Sequence, residues 1–146
     1  MAKFKYRMQN ILDVKMKLES QAKIAYGIAN QKYMEEQQKL QDILLRRASY
    51  EKILKDSMTG TIDVRQVAHA RADVNTMKTF MRRQMIEVHK AERALEDARR
   101  ALNEIMMERK THEKLKEKAF EQFKEELKTE ESKEIDQLVS YTYNAR

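Results

Sequence analysis

Residues 67–105 read VAHARADVNTMKTFMRRQMIEVHKAERALEDARRALNEI. Within this stretch Val67, Ala70, Val74, Met77, Met81, Gln84, Val88, Ala91, Leu95, Ala98, Leu102 and Ile105 recur on strict alternating steps of three and four. A half-buried strand would alternate every second residue and a disordered segment would keep no period. The spacing therefore predicts a helix with a heptad seam, packed against another helix. The same register continues into Arg109, His112 and Lys116, so the seam turns polar. Helical composition nevertheless persists to about residue 139.

Working back toward the N-terminus, residues 56–63 read DSMTGTID, the one stretch that combines a glycine with capping residues. Gly60 can take the positive φ that closes a helix, and Thr61 or Asp63 can accept a hydrogen bond from a free amide of the next helix. Upstream, Met8, Ile11, Leu18, Ala22, Ala25 and Ala29 fall on three-four steps, with Lys15 as a polar interruption. The pattern then slips by one residue and resumes through Tyr33, Leu40, Ile43 or Leu44, Tyr50 and Leu54, the drift expected of a nearly straight helix. The reading is all-α: two long helices forming an antiparallel coiled-coil hairpin within one domain, residues 1–146. Helix 1 covers about 9–57, a turn about 58–63 and the longer helix 2 about 64–139. A continuous helix through Gly60 would instead give a long antiparallel dimer from the same seam, since glycine in a helix interior costs only about 1 kcal/mol.

Pairing outward from Gly60 sets Ile11 near Arg109 and Phe4 near Lys116, where the first helix runs out. At 1.5 Å per residue the paired section is roughly 75 Å long and helix 2 projects some 30 Å or more beyond it. Phe120, Phe123 and Leu127 lie at helical spacing there, followed by Ile135 and Leu138. No segment of the chain is expected to cover them, and exposed apolar stripes mark interfaces. Self-association of the projection is the alternative use of the stripe.

Composition narrows the function. Of the 146 residues 37% are charged, with no proline, no cysteine and two glycines; the mean hydropathy is −0.86. The absence of cysteine excludes a disulfide framework, a thiolate zinc site and a thiol nucleophile. His69, His89 and His112 stand about twenty residues apart, with neither an HExxH motif nor a carboxylate three positions before any of them. An extended helix pair also lacks a concave pocket in which to desolvate reacting groups, so no catalytic residue, metal or cofactor is expected. The acidic pairs Glu35-Glu36, Glu125-Glu126 and Glu130-Glu131 read as solvated helix exteriors. Met77, Met81 and Met85 form a stripe of which the first two belong to the seam; Met85 lies beside it. The net charge of +6 spreads over 30 basic and 24 acidic residues, and Arg46-Arg47, Arg82-Arg83 and Arg99-Arg100 have no interleaved aromatics. Nucleic-acid binding is therefore not expected. The opening residues contain no continuous apolar segment, so neither a signal peptide nor membrane insertion is expected, and the chain is placed in the cytoplasm.

The opening MAKFKYRMQNILDVKMKLESQAKIAYGIA resembles the start of the flagellar FliJ family, in which a basic-aromatic segment leads into a long helix with an early glutamate, here Glu19. The likeness continues through the turn at Gly60 and into KLKEKAFEQFKEELKTEESKEIDQL. That stretch is similar to the family's lysine- and glutamate-rich ending with its E-x-K-x-x-D segment, here Glu131, Lys133 and Asp136. Gln137 and Met8 depart from the pattern, where an acidic residue and leucine are typical. The resemblance spans essentially the whole chain and rests on the order and spacing of individually weak motifs. It implies a coiled-coil component of the flagellar type III protein export apparatus, similar to the central stalk subunit of rotary ATPases. Its implied partners are the export ATPase ring, the cytoplasmic domain of the export gate and export chaperones. Its implied place is the cytoplasmic side of the cell membrane at the flagellar base. On this reading Phe120, Phe123 and Leu127 contact the ATPase, with Lys3, Lys5 and Arg7 supplying charge complementarity nearby. The gate contact is assigned to the region around Tyr33, Leu40 and Met77. A stalk protein of a non-flagellar type III secretion system would share this fold and mechanism. A basic coiled-coil scaffold for nucleic acid is the rival from another class.

Overall fold

The computed structural model describes residues 2–144. Two α-helices, α1 (Gln9–Ser57) and α2 (Val64–Asn144), pack against each other, and the described residues contain no strand. The helices form two compact units, Ala22–Leu102 and Met1–Gln21 with Asn103–Arg146.

In the unit Ala22–Leu102 the helices are joined by the turn that the glycine signalled. Ser57 and Thr59 bend back to the end of α1, their hydroxyls donating to the carbonyls of Leu54 and Asp56 at 2.7 and 2.8 Å. Gly60 then takes φ +73°, in the left-handed region that side chains other than glycine rarely adopt. A Cβ there would meet nothing within 4 Å, so the backbone angle and not space selects glycine. Of the two candidate caps, Asp63 is used: the Arg65 amide donates to its Oδ1 at 3.0 Å.

The α2 seam is the one read from the sequence. Ala70, Val74, Met77 and Ala91 are buried, and the intervening positions, Val67 through Ile105, are half-buried. The α1 seam differs from the reading. Its inward positions are Leu12, Lys15, Glu19, Ala22, Tyr26, Ala29, Tyr33, Glu36, Leu40, Ile43, Arg47, Tyr50 and Leu54, an unbroken three-four series with no slip. Met8, Ile11, Leu18 and Ala25, expected inside, are exposed. The physical reason is that charged side chains take seam positions where the facing helix offers a partner. Glu36, only 4% exposed, receives hydrogen bonds at both its carboxylate and its main-chain carbonyl from the Gln84 amide of α2, the latter at 2.9 Å. Lys32 and Lys39, one turn to either side on α1, reach the same carboxylate at 2.8 and 3.3 Å while keeping their ends in solvent. The hydrogen bond from Lys32, then that from Gln84, holds the Glu36 carboxyl down at about 2. Glu36 therefore belongs to the seam and not to the solvated exterior to which the acidic pair was assigned. Arg47 lies along the same seam, donating to Glu51 at 3.0 Å and resting its guanidinium 3.3 Å from the Met81 sulfur.

Candidate functional site

The unit that gathers both ends of the chain carries the candidate surface, and its base is a mixed apolar and ionic layer. Leu12 is buried, and Lys15 of α1 pairs with Glu108 of α2 at 2.8 Å, which lowers the Glu108 carboxyl from its ordinary range. Arg109, the position where the α2 seam turns polar, bonds Glu113 at 2.8 Å and donates to the buried Glu19 carboxylate. These bonds, Glu113 first, raise the guanidinium further above its usual value. The early glutamate of the opening segment is thus the counter-ion of the polar part of the facing seam.

Before Gln9 the chain is not helical: Phe4 lies against α2, and residues 6–9 form a turn in which the Gln9 amide donates to the Tyr6 carbonyl at 3.1 Å. Exposure alternates along residues 3–7. Phe4 and Tyr6 are half-buried, whereas Lys3, Lys5 and Arg7 are exposed, the period-two pattern of an extended segment with one face on a surface. The Phe4 ring meets Phe120 edge-on, with centroids 5.1 Å apart and planes at 62°, and it meets Phe123 at 5.5 Å and 48°. The Lys124 ammonium sits 4.6 Å from the Phe120 ring centre. The expectation that no segment covers Phe120 and Phe123 is therefore corrected: Phe4 covers part of both. The sequence reading missed this because it ended the pairing where the first helix ends, and an extended segment reaches more than twice as far per residue as a helix. Phe120 remains 39% exposed, and Phe123 and Leu127 are half-buried at the border of the covered region.

Beyond Leu127 every described residue of α2 is exposed. Ile135, Leu138, Val139 and Thr142 follow one another at i, i+3, i+4 and i+7 and so share one face, with Tyr143 beside them; Leu138 is 66% exposed. Ile135 and Leu138 were recognised as apolar, but Val139 and Tyr143 extend the face further than the sequence reading carried it. The spacing itself was the available signal.

The remaining sequence candidates are placed elsewhere. His69 and His89 are solvent-exposed beside Asp73 and Glu92 at 3.6 Å, and His112 lies half-buried in the seam. Among the described residues no cluster of three or more His, Asp or Glu side chains is arranged to hold a metal ion. Met77 is buried, Tyr33 and Leu40 are half-buried, and all three face the partner helix, so they are spent on the hairpin's own seam; Met85 is exposed beside it. Arg99 and Arg100 both pair with Glu96 at 3.6 Å, and Arg47 is engaged as described. No helix among the described residues is long and apolar enough to cross a membrane.

No curated protein and no solved structure matches the chain. A family model does, over residues 4–146: that of the flagellar FliJ protein. The matched range takes in the opening segment, the turn and the lysine- and glutamate-rich ending on which the resemblance rested. The chain belongs to the flagellar FliJ protein family and is, as a member, a component of the flagellar protein export apparatus rather than of an enzyme family.

Proposed function

We propose that the chain is a coiled-coil stalk that docks on the ring of the export ATPase and links it to the cytoplasmic domain of the export gate. The observation that carries this reading is the apolar surface of α2 from Phe120 to Leu127, continued by a helix exposed on all sides through Asn144. A solvated helix of this length needs no such stripe for solubility, and contiguous apolar surface on a charged chain is the signature of an interface. Phe120, Phe123 and Leu127 supply the apolar contact. Lys3, Lys5 and Arg7, exposed beside them, supply positive charge that steers an acidic partner surface into register.

Handling of export chaperones and residence at the cytoplasmic face of the membrane, at the flagellar base, belong to the same proposal, and membership of the family supports them only as far as a place in the export apparatus. The gate contact is assigned to exposed side chains in the middle of the hairpin around Tyr33, Leu40 and Met77, those three being themselves committed to the seam. The docking assignment is tested by pull-down of the ATPase with the Phe120→Ala/Phe123→Ala/Leu127→Ala variant, its helicity verified by circular dichroism. Loss of capture with helicity retained supports it; capture at wild-type strength refutes it.

A further inference from the structure

We propose that residues 2–6 are a displaceable strap that shields the Phe120–Phe123 face in the free protein and must lift before a partner occupies that face. The inference rests on the reading that the export ATPase docks there. Three observations converge on it. The strap places Phe4 on both Phe120 and Phe123 while Lys3 and Lys5, to either side of it, are exposed. Its cover is incomplete, since Phe120 keeps more than a third of its surface exposed and so offers a partner a first foothold. Its seating is also imperfect: the Tyr6 hydroxyl is buried with no hydrogen-bond partner among the described residues. A buried hydroxyl without a partner loses its hydration and gains nothing in return, so closure carries a built-in penalty that opening relieves.

These features describe a two-state element. Closed, the strap satisfies the aromatic face at low cost to solubility. Open, it frees Phe120 and Phe123 for a partner and presents Lys3 and Lys5 on a tether beside them. A partner that binds only the open state sees its affinity reduced by the fraction open, and shifting that fraction changes the apparent affinity without altering the docking surface.

The test is the dissociation constant of the full chain for the purified export ATPase ring, compared with two strap variants that act in opposite directions. Phe4→Ala removes the ring that closes the strap and is expected to tighten binding about tenfold. Tyr6→Phe removes the unpartnered hydroxyl, strengthens closure and is expected to weaken binding about fivefold. Circular dichroism of both variants checks that α1 and α2 remain intact. Wild-type binding that is unchanged in both variants, or that weakens in Phe4→Ala, overturns the strap and leaves the docking assignment standing. Absence of binding by wild type and both variants overturns the docking assignment, and the strap with it.

Discussion

Glu36 shows how a single charged residue is accommodated in a helix seam. A carboxylate at 4% exposure would be costly alone, but Gln84 from the facing helix and Lys32 and Lys39 from its own bind its oxygens. Because the folded carboxyl is held at about 2, below its usual value, its contribution to stability is complete above about pH 4.5 and is lost as the pH falls from there toward 2. Thermal melts across that window should show the wild type losing stability on acidification and Glu36→Gln losing less; parallel curves would show that Glu36 does not titrate as described. The same residue explains where sequence reading failed. A seam of apolar positions favours Met8, Ile11 and Leu18 over Leu12 and Glu19, keeps Lys15 only as an interruption, and needs a slip to rejoin Tyr33. Counting back from Tyr33 by threes and fours reaches Ala29, Tyr26, Ala22, Glu19, Lys15 and Leu12 without a break. What the rule of apolar seams omits is the partner: Glu19 has Arg109 and Glu36 has Gln84, and neither pairing is visible until the two helices are set side by side.

At the scale of elements, the turn was legible because its requirements are local. Gly60 must sit at positive φ and Asp63 must cap α2, and both demands are written within a few residues of each other. Asp63→Ala should destabilise the chain by about 1 kcal/mol, measured by urea denaturation, whereas Thr61→Ala should be nearly neutral. Equal losses in the two variants would show that the cap is shared. The α2 seam was equally legible, being apolar through Ile105, and its polar continuation kept register. The segment before Gln9 is not legible as a cover for Phe120 and Phe123, because the alternation of Phe4 and Tyr6 with Lys3 and Lys5 is too short to name the surface it lies on. Past Leu127, α2 has no neighbour to bury against, and helices without tertiary packing are marginal in water. Amide hydrogen exchange should therefore be fast across residues 128–144 and slow across 67–105 in the free protein. Uniform protection along α2 would mean that the far segment finds a partner of its own.

For the molecule as a whole, family membership and architecture agree. A chain with this much helix and no proline offers long helical surfaces, and among the described residues no cluster of three or more His, Asp or Glu side chains is arranged to hold a metal ion. The histidines illustrate the point: His69 and His89 face solvent with acidic neighbours a turn away, while His112 fills a seam position. The central claim is that the export ATPase is a partner and that Phe120, Phe123 and Leu127 form the contact. Its most direct test is addition of the purified chain to the ATPase while ring assembly and ATP hydrolysis are followed together. Both are expected to rise with wild type and neither with the Phe120→Ala/Phe123→Ala/Leu127→Ala variant. Equal stimulation by both proteins, or no stimulation by either, would contradict the claim.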